Sequence, residues 1–346
     1  MDAVELFNTV TQCILRTCEK LKKSGISMSE NQSTTVVWDR ETGLPLYNAI
    51  VWLDTKTSQM AADYIDRTPE NLSFGSQNAL KTVCGLPIHP YFSALKLIWL
   101  LDNIPEVQKC HEKGSLMFGT VDSWLLWKLT EVHCTDVTNA SRTLLFDLKT
   151  RHWSDELCTF FDIPKEILPE IRSSAEIYGS FLGSPLAGIP ISGCLGDQPA
   201  ALVGHGCLSP GEAKTTFGTG FGADSPMCFA LEGSGSIGGN VVRFLRDNFK
   251  FFKETSEIEA LCRTVEDTDG VFFVPCFTGL YTQVPMLLLS VNFARSRLLN
   301  TLPCLGSQQY RDLCVSNFEP RGADLKRESE MIRWKDAVRR AQGWTN

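Results

Sequence analysis

Apolar residues recur about every 3.6 positions in several segments of the 346-residue chain, a pattern that predicts amphipathic helices. In Ala3–Lys23 they include Val4, Phe7 and Val10, so we predict that one face of this first helix docks on the protein. The same period predicts further helices over Ser93–Asn103, Val121–Leu129, Gly239–Asn248, Ser256–Val265 and Trp334–Trp344. Lys96 lies among the apolar residues of the helix predicted over Ser93–Asn103, and we expect its ammonium to reach water or a carboxylate.

Short runs rich in β-branched and aromatic residues predict strands. Thr34–Asp39 and Pro45–Trp52 flank the turn-like tetrad Arg40–Gly43, which predicts two adjacent strands joined as a hairpin. Other strands are predicted at Gly188–Gly193, within Gly211–Gly222 and at Val271–Pro275. With the helices and the chain length, these strands predict an α/β fold of two domains that change near Gly204–Pro210.

The charge and the apolar runs of the chain argue against some classes of binding partner. A formal net charge of −7 argues against nucleic acid or an anionic membrane as the main partner, because those surfaces require a basic stripe. The longest apolar runs, such as Val284–Leu289, are far shorter than the ~20 residues that span a bilayer, and the N-terminus has no signal-peptide pattern. We therefore expect a cytoplasmic protein without a transmembrane segment.

The cysteines are numerous but scattered. There are 13 of them, and no two have the C-x-x-C spacing. Such a distribution favours reduced, mostly buried thiols over a disulfide framework or a zinc site. We therefore predict no metal site built from a cluster of protein side chains.

A lone carboxylate, Asp197, lies in the otherwise small and apolar run Pro190–Gly206 (PISGCLGDQPAALVGHG). An aspartate at this place can be the N-cap of a helix, with Pro199 in the first turn. It can also be a general base that accepts a hydroxyl proton within hydrogen-bond reach. The two roles are compatible, because a capping carboxylate can present its second oxygen to a cleft.

A family resemblance rests on several long segments that occur in the family's order. They resemble the glycerol kinases of the FGGY carbohydrate kinase family, and Thr135–Thr143 (TDVTNASRT) and Ile163–Gly179 (IPKEILPEIRSSAEIYG) are the most specific. The others are NAIVW, YFSALKLIWLLDN, FGTVDSWLLW, ISGCLGDQPAAL, the Gly218–Gly220 turn and NFEPRG with MIRWKDAVRRAQGW. The resemblance implies a two-domain actin-like ATPase (ribonuclease H-like) fold, with a polyol-binding domain over residues 1–206 and a nucleotide-binding domain over residues 207–346.

The resemblance also implies a reaction, the transfer of a phosphoryl group from MgATP to a primary hydroxyl of glycerol. Phosphoryl transfer depends on positioning, on electrostatic stabilisation and on a residue that accepts the hydroxyl proton. Asp197 matches the family's general base in its GDQ motif. Mg²⁺ is expected to arrive with ATP and to lie near this residue, and relatives of this kind commonly form homo-oligomers.

Further binding residues follow from the same resemblance. Tyr91 and Gln198 match side chains that contact a glycerol hydroxyl, and Trp52 matches an aromatic residue that packs on the carbon skeleton. For Trp52 and Tyr91 the alternative is ordinary core packing of an aromatic ring with a polar tip.

The expected nucleotide contacts are glycine-rich. Gly218, Thr219 and Gly220 match a phosphate-binding turn, where glycines let backbone N–H groups approach phosphate oxygens. A hairpin turn is the alternative for this tripeptide. Gly239 matches a glycine next to the nucleotide, although it could simply begin a helix.

The chain departs from the family pattern at several places. The first phosphate loop, D-x-G-T-T-S, has no counterpart, and the Arg-Glu pair that grips glycerol is missing where the chain reads Asn31–Thr35 (NQSTT). Ala230–Gly233 follows Gly220 much sooner than in the family, and the D-G-G segment that holds adenosine is not found. We therefore expect strands to be missing from both domains and turnover to be very low or nil. The alternative is a non-catalytic relative that acts in interaction or oligomerisation.

Overall fold

The computed structural model describes residues 1–21, 34–68, 76–183, 186–205, 228–232, 239–265, 271, 288–292, 329 and 331–336. Two compact units make up the chain. The first comprises Met1–Lys214, Phe221–Glu232 and Leu288–Ser307, and the second comprises Thr215–Gly220, Gly233–Leu287 and Gln308–Asn346. The strand predicted within Gly211–Gly222, most of that at Val271–Pro275 and most of the helix at Trp334–Trp344 lie outside the described residues.

Helices surround short sheets in the first unit. Its helices are α1 (Ala3–Leu21), α2 (Ser58–Asp66), α3 (Lys81–Cys84), α4 (Ser93–Asn103), α5 (Pro105–Glu112), α6 (Val121–Thr130), α7 (Val137–Ala140), α8 (Asp155–Phe160) and α9 (Asp197–Gly204). The second unit contains α10 (Gly239–Asp247) and α11 (Glu257–Cys262). The periodic pattern therefore identified α1, α4, α6, α10 and α11, with ends that differ by no more than a few residues.

Each sheet among the described residues has two strands. In chain order the strands are β1 (Thr35–Asp39), β2 (Leu116–Thr120), β3 (Cys134–Asp136), β4 (Glu170–Arg172), β5 (Gly179–Ser180), β6 (Pro190–Ile191), β7 (Cys228–Glu232) and β8 (Leu288–Asn292). The pairs β1–β2, β5–β6 and β7–β8 are antiparallel, and β3–β4 is parallel. The strand predicted at Gly188–Gly193 is present only as the two-residue β6.

The predicted hairpin of Thr34–Asp39 with Pro45–Trp52 is only partly correct. β1 forms, but Pro45–Trp52 touches it through two isolated bridges, Trp38 to Pro45 and Thr35 to Ile50. The ladder partner of β1 is β2, which pairs residue for residue from Thr35 opposite Thr120 to Asp39 opposite Leu116. Both strands are buried at every position. A proline cannot donate to a ladder, whereas the apolar β2 run supplies a complete one.

α1 docks through part of its predicted apolar face, with Val10 buried and Val4 exposed. Ala3 and Val10 are buried in a cluster with Trp38 and Trp124. The two tryptophan rings meet edge to face with centroids 5.3 Å apart. The Trp124 indole Nε1 donates a hydrogen bond to the Ala3 carbonyl at 3.3 Å, so the polar atom of this buried ring has a partner.

The main core surrounds α4, whose predicted bounds are confirmed. Leu95 and Leu97 are fully buried although they face different directions, so the helix is covered on several sides. Phe118 of β2 and Phe161 after α8 belong to the same cluster. No helix in the described part of the chain is both long and apolar enough to cross a membrane.

The cysteines with described side chains are free thiols. Four of them, Cys84, Cys110, Cys134 and Cys158, are buried. Burial raises the pKa of Cys84 to about 12, so this thiol stays protonated and unreactive. These residues act as small apolar side chains in the core.

Gly119 marks the closest approach of β2 to α6. A Cβ atom at this position would lie 2.4 Å from Ser123 Cβ and 3.2 Å from the Trp38 ring. We predict that Gly119→Ala lowers the free energy of unfolding by about 2 kcal/mol because the packed strand and helix must separate. Chemical denaturation measures the change. Gly183→Ala is the matched control, since no atom lies within 4 Å of a Cβ there, and equal effects of the two substitutions would contradict the packing argument.

Candidate functional site

Asp197 is the first residue of α9. The N-cap of this helix is Gly196, which has extended backbone angles and no side chain to cap with. The capping interpretation of Asp197 is therefore wrong by one position. Asp197 Oδ1 accepts a hydrogen bond from the Gln198 backbone N–H at 2.9 Å, and its carboxylate lies at the positive end of the helix dipole. The side chain is half-buried, so it is not sealed within the core.

The backbone that carries Asp197 is fixed by a buried hydroxyl. The Gly196 N–H donates to Thr138 Oγ1 at 2.9 Å, and this hydroxyl donates to Asp136 Oδ2 at 2.7 Å. Gly196, Thr138 and Asp136 are all buried. The start of α9 is thus joined to α7 by the hydrogen bond between Gly196 and Thr138, which are 58 positions apart in the chain.

Asp136 is the centre of this network. Its side chain caps α7 by accepting the backbone N–H groups of Thr138 and Asn139. It also accepts the Asn139 side-chain amide at 2.8 Å and the Ser174 hydroxyl at 2.7 Å. Ser174 in turn accepts the Cys194 N–H at its backbone carbonyl, 3.0 Å away. A single carboxylate therefore connects α7, the segment after β4 and the segment before α9.

A second buried carboxylate lies close to the first. Asp122 accepts hydroxyl hydrogen bonds from Thr120 and Thr135. Burial, with a smaller contribution from the charge of Asp136, raises the pKa of Asp122 to about 6. Burial also raises the pKa of Asp136, although its hydrogen bonds oppose that effect. Ionisation of both carboxylates at the same time is therefore unfavourable.

The atoms of Asp122, Asp136 and Cys194 lie close enough to one another for a metal ion to be considered. Mg²⁺ does not fit this cluster, because it prefers an octahedral set of oxygen ligands and one member here is a thiol. The carboxylate oxygens are moreover occupied by the hydroxyl and amide donors of Thr120, Thr135, Thr138, Asn139 and Ser174. The cluster acts as a buried support for α9.

Trp52 and Tyr91 lie together, with ring centroids 5.6 Å apart and planes inclined at 56°. Trp52 lies in a turn closed by the Asp54 N–H and the Val51 carbonyl, 3.1 Å apart. Tyr91 lies just before α4. Both residues are half-buried, and Tyr91 also packs against the main core, so their contact with a polyol stays a prediction.

One segment, Thr135–Thr143, contacts both parts of the predicted polyol site. At its beginning Thr138 holds Gly196, and at its end the Thr143 carbonyl accepts the Ala94 N–H in the first turn of α4 at 2.9 Å. Arg142 lies over the Tyr91 ring, with the guanidinium carbon 5.7 Å from its centroid. The segment therefore connects the elements that carry Asp197 and Tyr91.

Of the predicted nucleotide residues, the structure describes Gly239 alone. Gly218, Thr219 and Gly220 lie outside the described residues. Gly239 is the first residue of α10 in the second unit, a position that agrees with its alternative role as a helix start. Its place beside a nucleotide stays a prediction.

Sequence reasoning assigned no role to Asp136, Thr138 or Ser174, although it used the motifs that contain them. Aspartate is one of the preferred N-cap residues, and this signal could have identified Asp136 as the N-cap of a helix. The contacts with Ser174 and Gly196 join residues 38 and 58 positions apart and had no signal in the pattern.

Solved carbohydrate kinases share this fold. A crystal structure of glycerol kinase from Plasmodium falciparum with ADP matches with a TM-score of 0.67 at 31% identity, covering 87% of this chain and 67% of that one. Gluconate kinase from Lactobacillus acidophilus matches with a TM-score of 0.66 at 20% identity, covering 81% and 61%. The protein has the α/β, actin-like ATPase fold of sugar kinases, as predicted.

A model of the N-terminal domain of the FGGY family of carbohydrate kinases matches residues 1–204, and the chain belongs to this family. A probable glycerol kinase of Caenorhabditis elegans is 58% identical over 315 residues, covering 82% of this chain and 62% of the relative. Glycerol kinase of Brucella anthropi is 45% identical over 294 residues, covering 76% and 58%. The chain thus spans about three fifths of the length of these curated relatives.

The hydroxyl of Thr138 gives a test of how α9 is held. We predict that Thr138→Val, which keeps the shape but removes the hydroxyl, destabilises the protein by about 2 kcal/mol because the buried Gly196 N–H loses its partner. Hydrogen exchange of the Gly196 amide should accelerate at least ~10-fold. Thr138→Ser retains the hydroxyl and should preserve the protection. Unchanged exchange in Thr138→Val would refute the proposed support.

The raised pKa of Asp122 gives a pH-dependent test. The unfolded chain ionises this group near its ordinary pKa of 3.8, whereas the folded protein does so only near pH 6. The folded state therefore binds more protons between pH 4 and 6, and the contribution of Asp122 becomes more unfavourable as pH rises through this window.

We therefore predict that the stability of Asp122→Asn relative to the unsubstituted protein increases by about 2 kcal/mol from pH 4 to 6 and becomes constant only above about pH 7. Urea unfolding at a series of pH values measures the difference. Asp66→Asn is the control, because it makes the same substitution at an exposed position. A flat profile for Asp122→Asn would contradict the argument.

Proposed function

We propose that the first unit binds glycerol between the Trp52–Tyr91 pair and Gln198, and that Asp197 is the general base for its ATP-dependent phosphorylation to glycerol 3-phosphate. The observation that carries the proposal is the placement of Asp197: a half-buried carboxylate whose backbone is fixed through Gly196 to the buried Thr138 hydroxyl. The names of the relatives, glycerol kinase and probable glycerol kinase, support the choice of substrate.

In the proposed reaction the primary hydroxyl oxygen of glycerol forms a bond to the γ-phosphorus of MgATP. The bond between that phosphorus and the oxygen bridging to the β-phosphate breaks, and ADP leaves. Asp197 accepts the hydroxyl proton at a carboxylate oxygen. Mg²⁺ arrives with the nucleotide and neutralises part of the phosphate charge. The half-exposed Asp197 carboxylate suits this hard ion better than the buried cluster does.

The proposal assigns the two substrates to different domains. Residues 1–206 would hold the polyol and residues 207–346 the nucleotide, with Gly218, Thr219, Gly220 and Gly239 near the phosphates. Backbone N–H groups in such a glycine-rich turn can approach phosphate oxygens closely. Homo-oligomer formation and a cytoplasmic location stay predictions.

We expect this chain to turn over very slowly or not at all. The Arg-Glu pair expected to hold glycerol is replaced within Asn31–Thr35 (NQSTT). Each lost charge-assisted hydrogen bond is worth roughly 1.5–3 kcal/mol, so affinity should fall by a factor of ten or more per contact. This loss favours the second candidate function, a non-catalytic relative that acts as an interaction or oligomerisation module.

The test combines binding and turnover in the full chain. Calorimetry with glycerol should detect weak binding that Trp52→Ala weakens further. A mass-spectrometric assay for glycerol 3-phosphate should detect little product from MgATP and glycerol, and Asp197→Asn should reduce any product by at least ~100-fold. Asp66→Asn is the matched control, because it makes the same change at an exposed site away from these residues.

Three outcomes would change the proposal. Turnover equal to that of a full-length glycerol kinase would contradict the expected loss of activity. Product formation that survives in Asp197→Asn would remove this residue as the base. Failure of both glycerol and MgATP to bind would favour the non-catalytic alternative.

A further inference from the structure

Lys96 is a cationic side chain within the core. It lies on α4 between the fully buried Leu95 and Leu97, and it is itself fully buried. The expectation that its ammonium reaches water is wrong. Burial lowers the pKa of Lys96 to about 7, and the negative charge of Asp54 opposes that effect. A buried ammonium is unfavourable unless its donors are used, so its contacts reveal its role.

The first contact is with the backbone of Tyr91. Lys96 Nζ donates to the Tyr91 carbonyl at 2.6 Å. On the other side of the same residue, the Tyr91 N–H donates to His89 Nδ1 at 3.1 Å. Burial, and secondly the charge of Lys96, lower the pKa of His89 to about 4. The imidazole is therefore neutral at physiological pH, and its Nδ1 can accept. Both backbone polar groups of Tyr91 are thus held by side chains, that of Lys96 fully buried and that of His89 half-buried.

These bonds hold the backbone that carries the Tyr91 ring. Tyr91 precedes α4, where no helical hydrogen-bond ladder fixes its backbone. The ring nevertheless lies 5.6 Å from that of Trp52, and Lys96 Nζ lies 5.9 Å from the Tyr91 centroid. Asp54, which attracts the ammonium, belongs to the same turn as Trp52. Lys96 therefore acts on the segments that carry both rings.

We propose that Lys96 is a positioning residue that orients the Tyr91–Trp52 pair for the polyol, by binding the Tyr91 carbonyl and attracting the turn that carries Trp52. The proposal rests on the function proposed above. Lys96 is then a specificity-determining residue that does not touch the ligand. A ring pair held in one position selects a small polyol more strongly than a mobile ring pair does.

The geometry of the pair can be measured without a ligand. The chain is labelled with 5-fluorotryptophan, and the Trp52 resonance in the ¹⁹F NMR spectrum is assigned through Trp52→Phe. Lys96→Met should shift or broaden the Trp52 resonance and leave that of Trp124 unchanged, since Trp124 belongs to another cluster. Leu97→Met is the matched control: it makes a methionine at the neighbouring buried position, which has no bond to Tyr91. Should Lys96→Met fail to fold, Lys96→Gln replaces it.

An unchanged Trp52 resonance in the Lys96 variant, or an equal change in Leu97→Met, would overturn the proposal. Glycerol binding by calorimetry is the second measurement. Where the unsubstituted chain binds glycerol, Lys96→Met should weaken the affinity ~10-fold or more, Leu97→Met should leave it within about twofold, and Lys96→Arg should restore part of it. If the unsubstituted chain does not bind glycerol, the proposed function fails, and the ¹⁹F result still decides whether Lys96 orients the pair.

Discussion

The hydrogen bonds accepted by Asp136 are the constraint on which the candidate site depends. This carboxylate is fully buried, and burial alone would make its charge unfavourable. It is compensated by donors from Thr138, Asn139 and Ser174, which together occupy both oxygens. Because a buried network of this kind is favourable only when every member is satisfied, it permits one arrangement of the segments that it joins. The start of α9, and with it Asp197, is one of those segments.

The segment Thr135–Thr143 holds other parts of the protein at both of its ends. One end holds the N-cap of the helix that carries the proposed base, and the other holds the first turn of α4 beside Tyr91. Two parts of a binding site that are distant in sequence are thereby placed on a common, buried support. Catalytic groups need positions defined to a fraction of an ångström, and supports of this kind provide them better than exposed loops do.

Much of the fold could be predicted because local patterns determine local structure. The apolar period of Ser93–Asn103 gave α4 its correct bounds. β2 was missed, because a short and wholly apolar run such as Leu116–Thr120 has no alternation to distinguish a buried strand. The predicted hairpin formed only in part, because the strand paired with β1 lies about 80 positions further along the chain and a local pattern does not show such a pairing.

The site was predictable to a different extent. Asp197, Gln198, Trp52 and Tyr91 came from motif resemblance, and the structure brings the rings of Trp52 and Tyr91 together, while Asp197 and Gln198 are consecutive in the chain. The residues that support the site could not be predicted. A sequence pattern does not show that Thr138 accepts the Gly196 N–H or that the Lys96 ammonium donates to the Tyr91 carbonyl. The sequence predicted that the Lys96 ammonium reaches water or a carboxylate, whereas its hydrogen bond is to the Tyr91 backbone carbonyl.

The contacts that support the polyol residues lie within one unit of the chain. Asp136, Thr138, Ser174, Lys96 and His89 all belong to the first unit, as do the residues that they position. Under the proposed function, polyol binding and turnover would depend on different contacts: the polyol residues rest on a buried network in the first unit, while phosphoryl transfer would also need phosphate contacts. A member of this family can thus keep the geometry of its polyol site and lose rate, since positioning one substrate contributes to catalysis only when the second is held in line with it.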